Sequence, residues 1–175
     1  MSHHKSNPQT WQVVTNCSST KRRTGKPIAP AMGYRSLDGL CGAWVQKLGK
    51  ASDLKTVVET YGGRTFTEAV AASQRLGADL HVISAGLGLV HAQHEIPYYN
   101  LTVSEGVGSI ASWLEEKNKS PADWWESLNN KLGKPYPIVQ LTKKSQGVIL
   151  ALPSTYLEMI SAELLMLTEH QREKI

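Results

Sequence analysis

The 175-residue chain is long enough for one domain with a substantial core, and 41% apolar and 19% charged residues exclude a disordered chain. No apolar run approaches the ~20 residues of a membrane span, and two cysteines, Cys17 and Cys41, are too few for a disulfide framework. The net charge of +4 is unevenly spread: residues 1–75 hold 11 Lys/Arg against 4 Asp/Glu, and the remainder holds 8 against 11. A basic half suits a polyanionic partner, and equally a domain kept soluble by charge.

The first ten residues lack the apolar stretch of a signal peptide and read as a flexible leader, with one domain over 11–175. Reduced thiols and no export signal point to the cytoplasm. Trp11-Gln12-Val13-Val14-Thr15 alternates and is β-branched, so it predicts a first strand ending at Asn16-Cys17. A polar, basic loop follows to about Tyr34, with Gly25, Pro27 and Pro30 excluding regular structure. Leu37, Leu40, Cys41, Trp44, Val45 and Leu48 recur at helical spacing before Gly49. A second helix is expected from about Thr65 to Gly77.

Asp79–Ser84 reads as a central strand, followed by a glycine-containing segment and a loop through Pro97 to Asn100. Helices are predicted from Gly108 to about Lys117 and from Pro121 to Leu132, the latter with Ser120 as N-cap and Pro121 at its first position. A short helix is expected around Ile138–Leu141, because Pro137 precedes it and Lys143-Lys144 follow. Gly147–Leu152 reads as a buried strand. A last helix from Ser154 carries Leu157, Ile160, Leu164, Leu165 and Leu167. Strands alternating with helices give an α/β fold: a single domain with a mostly parallel sheet flanked by helices on both faces.

Ligands of open parallel sheets settle beyond the carboxyl ends of the strands. Residues 16–21, 84–88 and 153–156 lie there if Thr15, Ser84 and Leu152 end neighbouring strands that run the same way. In the first segment, Cys17 is a candidate nucleophile and Ser18 and Lys21 candidate ligand contacts, while Arg22, Arg23 and Lys26 are candidate phosphate contacts. A solvated basic loop with a packed cysteine is the plainer account. The segment is not a P-loop, since its glycines and Lys-Ser/Thr pair are missing.

In the second segment Ser84, Gly86 and Gly88 form a candidate ligand contact, although the third glycine of a dinucleotide fingerprint is replaced by His91. A turn without a ligand fits too. His91, His94 and Glu95 lack a further partner at metal-ligand spacing, so no metal or other cofactor is expected. Glu95 is a candidate acid or base, with the rings of Tyr98 and Tyr99 to stack on a base and Asn100 to read its edge. Ser154 and Tyr156 complete the candidate substrate contacts at the third strand end. At least one of Trp124 and Trp125 is expected in the core, since consecutive helical positions diverge by ~100°.

Tyr61-Gly62-Gly63-Arg64-Thr65-Phe66, Val82–Val90, Ile96-Pro97-Tyr98, Asp123-Trp124-Trp125 and Ile149–Tyr156 follow in an order that resembles the YaaA-like family, from about residue 11 to 160. A fainter likeness joins Cys17, Ser18 and Lys21 to the Cys-Ser-x-x-Lys signature of the archaeosine synthase core domain. Asn16 and Arg22-Arg23 depart from the prolines of that signature. These resemblances imply a compact α/β domain related to nucleic-acid-binding and base-modifying proteins. Three functions are therefore expected to compete: a nucleic-acid-directed protein that holds or modifies a base, a non-catalytic DNA-binding stress or phage-defence module, and a small-molecule nucleoside or nucleotide enzyme.

Overall fold

A computed structural model describes residues 10–175; the expected leader falls, but for Thr10, outside the described residues. The chain forms β1 (Trp11–Asn16), α1 (Leu37–Leu48), β2 (Leu54–Thr56), α2 (Val57–Thr60), α3 (Arg64–Leu76), β3 (Asp79–Ser84) and β4 (Gly88–His91). Then come β5 (Glu95–Pro97), α4 (Ala111–Glu116), α5 (Pro121–Lys131), α6 (Pro137–Lys144), β6 (Gly147–Ala151), α7 (Ser154–Leu165) and α8 (Glu169–Arg172).

The main sheet has the order β4-β3-β1-β6, with β3 and β6 parallel to β1 and β4 antiparallel to β3. It is a mixed, mostly parallel sheet flanked by helices. Val13 and Val14 are adjacent in β1 and therefore point to opposite faces, yet both are buried, so both faces of the sheet are covered at its centre. Register pairs Val14 with His81 on one side and with Leu150 on the other. Residues past Thr15, Ser84 and Ala151 thus leave the same edge of three adjacent strands.

Several elements differ from the sequence expectation. The stretch expected as loop after Ser84 holds β4 and also β5, which pairs antiparallel with β2. The Ser84 hydroxyl accepts the Gly86 and Leu87 N–H groups and fastens the turn between β3 and β4. Both short strands lack a readable alternation. β6 is not a buried strand but a sheet edge, and Ile149 is 39% exposed. A continuous apolar run does not distinguish the two. α4 begins at Ala111 instead of Gly108, because Gly106 and Gly108 take positive φ and Thr102 bridges to Ser109.

α7 buries Tyr156, Met159, Ile160 and Glu163, whereas Leu157 and Leu165 face outward, and α8 follows it. The expected Ser120 cap is present: its hydroxyl accepts the Asp123 N–H while the Asp123 carboxylate accepts the Ser120 N–H at 2.7 Å. Trp124 and Trp125 are both buried. Trp124 donates to the Ala85 carbonyl and Trp44 to the Gly86 carbonyl, each at 2.7 Å, so two indoles pin the turn that follows β3. Trp125 donates to the buried Glu163 carboxylate, which also accepts the Ile138 and Val139 N–H groups at the start of α6. Among the described residues no helix is long and apolar enough to cross a membrane.

Candidate functional site

β1 delivers Cys17 to the sheet edge. The Cys17 N–H donates to the Ile83 carbonyl at 2.9 Å, carrying the β1–β3 pairing one residue past the strand. The chain then turns and runs antiparallel to residues 60–62. Arg22 N–H donates to Thr60, Gly62 N–H donates to Thr20, and Lys21 pairs with Tyr61. Gly63 opens α3 at φ +86°, and a Cβ there would stand 3.0 Å from the Ser18 hydroxyl. Glycine is needed at that position by both its conformation and the closeness of Ser18.

These segments, residues 100–107 and the start of α7 enclose a cleft of about 710 Å³. That lies within the ~300–1,000 Å³ typical of small-molecule sites. Its walls are rich in hydroxyls, amides and backbone, and Glu105, the carboxylate among its lining residues, is exposed.

Cys17 is 7% exposed, with its sulfur 3.0 Å from the Tyr156 hydroxyl. Below it the Ser84, Tyr99 and Tyr61 hydroxyls form a chain, Ser84 to Tyr99 and Tyr99 to Tyr61, all three residues fully buried. Burial raises the Tyr61, Tyr99 and Tyr156 phenols above their ordinary range, so they stay protonated. The Lys21 ammonium lies 5.1 Å from the centroid of the Tyr99 ring and 5.8 Å from that of Tyr61. Burial lowers the pKa of Lys21, against the opposing influence of a negative charge on Cys17.

The structure brings Cys17, Ser18, Lys21, Asn100 and Tyr156 together on the cleft wall, with Ser84 beneath. Ser154 is exposed at the first position of α7, between the lining residues Pro153 and Thr155. Arg22 and Lys26 are exposed on the basic loop.

Five expectations need correction. Glu95 is exposed on β5 opposite Thr56, outside the cleft lining, so it has no place as acid or base there. Tyr98 lies under the Arg23 guanidinium at 5.7 Å, and its neighbour Tyr99 is the ring that reaches the site. Arg23 is 8% exposed and bonded to the Asp53 carboxylate at 2.6 Å, which removes it from phosphate contact. At Gly86 a Cβ would stand 2.6 Å from the Tyr99 ring, so the missing side chain makes room for Tyr99 and not for a ligand. Gly88 packs against Asn129 with φ +70°.

Sequence reasoning missed Thr102 and the Tyr61 hydroxyl; Thr20 and Thr155 fall within the strand-end segments it marked, and Tyr99 enters by its hydroxyl instead of by stacking. The Tyr61-Gly62-Gly63 run and the Tyr98-Tyr99 pair are the signals that marked these neighbourhoods. Comparison with protein-family models, with curated proteins and with solved structures returned no match.

Proposed function

We propose that this cleft receives a base or nucleoside presented by a nucleic acid, and that Cys17 is its reactive group. The observation that carries the reading is the convergence of Cys17, Lys21, Asn100 and Tyr156 on one polar cleft at the ends of parallel strands. Asn100 offers an amide to a base edge, Tyr156 a phenol hydroxyl beside the sulfur, and Lys21 a cation or, once deprotonated, a base. Arg22 and Lys26 stand exposed on the same loop, where they meet the phosphates of a polymer. The resemblance to the YaaA-like family agrees with this reading, and a reduced Cys17 thiol fits work in the cytoplasm.

A second reading is a small-molecule nucleoside or nucleotide enzyme. It is favoured by the cleft's volume of about 710 Å³, which suits a free nucleoside or nucleotide. Binding of labelled single-stranded DNA and RNA at rising salt separates the two. Polymer binding should weaken by orders of magnitude between about 50 and 200 mM salt if several phosphates are held. Free nucleosides should then compete in the wild type and fail to compete in Asn100→Ala. A flat salt response removes the polymer, and absence of any nucleoside effect removes the base pocket.

A further inference from the structure

We propose that residues 104–108 form the wall that receives the base, with the Val107 side chain packed on the face of the ring while Asn100 meets its edge. The inference rests on the reading of the cleft as a base site, and gives that site its contact for the planar face.

The loop is built to hold one shape. Thr102 and Ser109 pair at its foot: the Thr102 N–H donates to the Gly108 carbonyl at 3.0 Å, and the Ile110 N–H to the Thr102 carbonyl at 2.9 Å. Within the loop the Ser109 N–H donates to the Gly106 carbonyl and the Ser104 N–H to the Thr102 hydroxyl, each at 3.1 Å. Leu101 and Val103 are buried on either side of Thr102 and anchor the foot in the core. Gly106 and Gly108 flank Val107 at φ +124° and +81°, conformations that favour glycine. A loop tied at its foot and turned by two glycines presents the residue between them in a set position.

Val107 is 85% exposed, the highest value among the large apolar side chains of the described residues, and it lines the cleft with Ser104, Glu105 and Gly106. A lone valine elsewhere on a surface would call for no explanation. Here Phe66 and Leu101 on the same lining are already buried, so Val107 has free apolar surface for a ligand to cover. Its neighbour Gly108 also backs Asn100: a Cβ there would stand 2.6 Å from the Asn100 carbonyl and 2.8 Å from its side-chain amide. The amide that meets a ring edge and the valine that meets a ring face are thus placed by one close contact.

The charge of the cleft sets which end of a nucleotide comes to this wall. From Asn100 to Glu116 the chain has no Lys or Arg, and Glu105 is exposed on the wall. The cations of the lining, Lys21 and Arg64, come from the strand end of β1 and the start of α3. A carboxylate repels phosphate, so the phosphate end goes to Lys21 and the uncharged base to Val107.

The test is calorimetric titration of the whole protein with the 5′-monophosphates of adenosine, guanosine, cytidine and uridine, and with ribose 5-phosphate, which lacks a base. The wild type should bind at least one nucleotide more tightly than ribose 5-phosphate. Val107→Ala should weaken that nucleotide about five- to tenfold, as expected when two methyl groups partly covered by a ring are lost, and leave ribose 5-phosphate unchanged. Val107→Ile should bind at least as well as the wild type. Thermal melting without ligand verifies that each variant folds, which the exposure of Val107 favours. Unchanged nucleotide affinity in Val107→Ala, or an equal loss for ribose 5-phosphate, overturns the proposal and leaves the base site standing. A wild type that binds no nucleotide more tightly than ribose 5-phosphate removes the base site, and the proposal with it.

Discussion

The Cys17 sulfur and the Tyr156 hydroxyl lie 3.0 Å apart although 139 residues separate them in the chain. The contact ties the end of β1 to the first turn of α7, and it exists because β6, which feeds α7, runs parallel to β1 and beside it. In this geometry the thiol at one strand end is hydrogen-bonded to a phenol from the next.

Tyr156→Phe removes that hydroxyl and leaves the ring. A buried hydrogen bond contributes about 0.5–1.5 kcal/mol net, so unfolding by urea should show a loss of about 1 kcal/mol. Nucleoside binding should weaken in the same variant. An unchanged urea midpoint together with unchanged binding contradicts a role for the phenol in the site.

Gly86→Ala tests whether this glycine serves packing or a ligand. The new methyl would meet the Tyr99 ring at 2.6 Å and the Trp44 ring at 3.1 Å, and both rings are fixed by hydrogen bonds. Overpacking of this kind costs about 1–3 kcal/mol. The urea midpoint should fall accordingly, with no ligand present. A variant as stable as the wild type, but impaired in binding, restores Gly86 as a ligand contact.

Arg22 and Arg23 are adjacent and should behave oppositely. Arg23→Ala strands the Asp53 contact and the Thr60 hydroxyl, and its main effect should be lost stability, read by thermal melting. Arg22→Glu should leave the melting temperature nearly unchanged and weaken oligonucleotide binding, most strongly at low salt. Equal effects of the two substitutions on binding would argue that Arg23 leaves Asp53 to meet the ligand.

His81 gives the fold an acid sensitivity away from the cleft. Both of its ring nitrogens are buried and find no hydrogen-bond partner among the described residues, and its ring stands edge to face with that of His91. Burial, assisted by His91 and opposed by Asp79, lowers its pKa from the ordinary 6.5 to about 4. The depressed value means that the unfolded chain takes up a proton before the folded one. Stability is therefore full above pH 6.5 and falls as the pH drops toward 4. His81→Leu should flatten this dependence, making the variant more stable than the wild type by about 1–2 kcal/mol at pH 5 relative to their difference at pH 7.5. Parallel urea midpoints at the two pH values would exclude His81 as the source.

The sequence made the strands that matter most readable. Trp11–Thr15 and Asp79–Ser84 carry β-branched runs, and the helical segments between them force parallel neighbours, so the shared edge past Thr15 and Ser84 followed. Short elements were not legible: β4 and β5 have too few residues for a period to show. Tyr98 and Tyr99 could not be told apart, because neighbouring residues of an extended segment point opposite ways and the segment's register is set by a long-range bridge to Ile28. Arg23 could not be told from Arg22 either, since its partner Asp53 lies 30 residues away. Glu95 failed for the same reason: only the pairing with β2 shows which way its strand carries it.

The central claim is that the cleft beside Cys17 holds a base. Backbone-amide chemical shifts during titration with nucleosides and short single strands test it most directly. The largest movements should fall at residues 17–21, 63–66, 100–107 and 153–156. Largest movements around Trp125, Tyr136 and Met166, which line a separate cavity, or no movement at millimolar ligand, would contradict it.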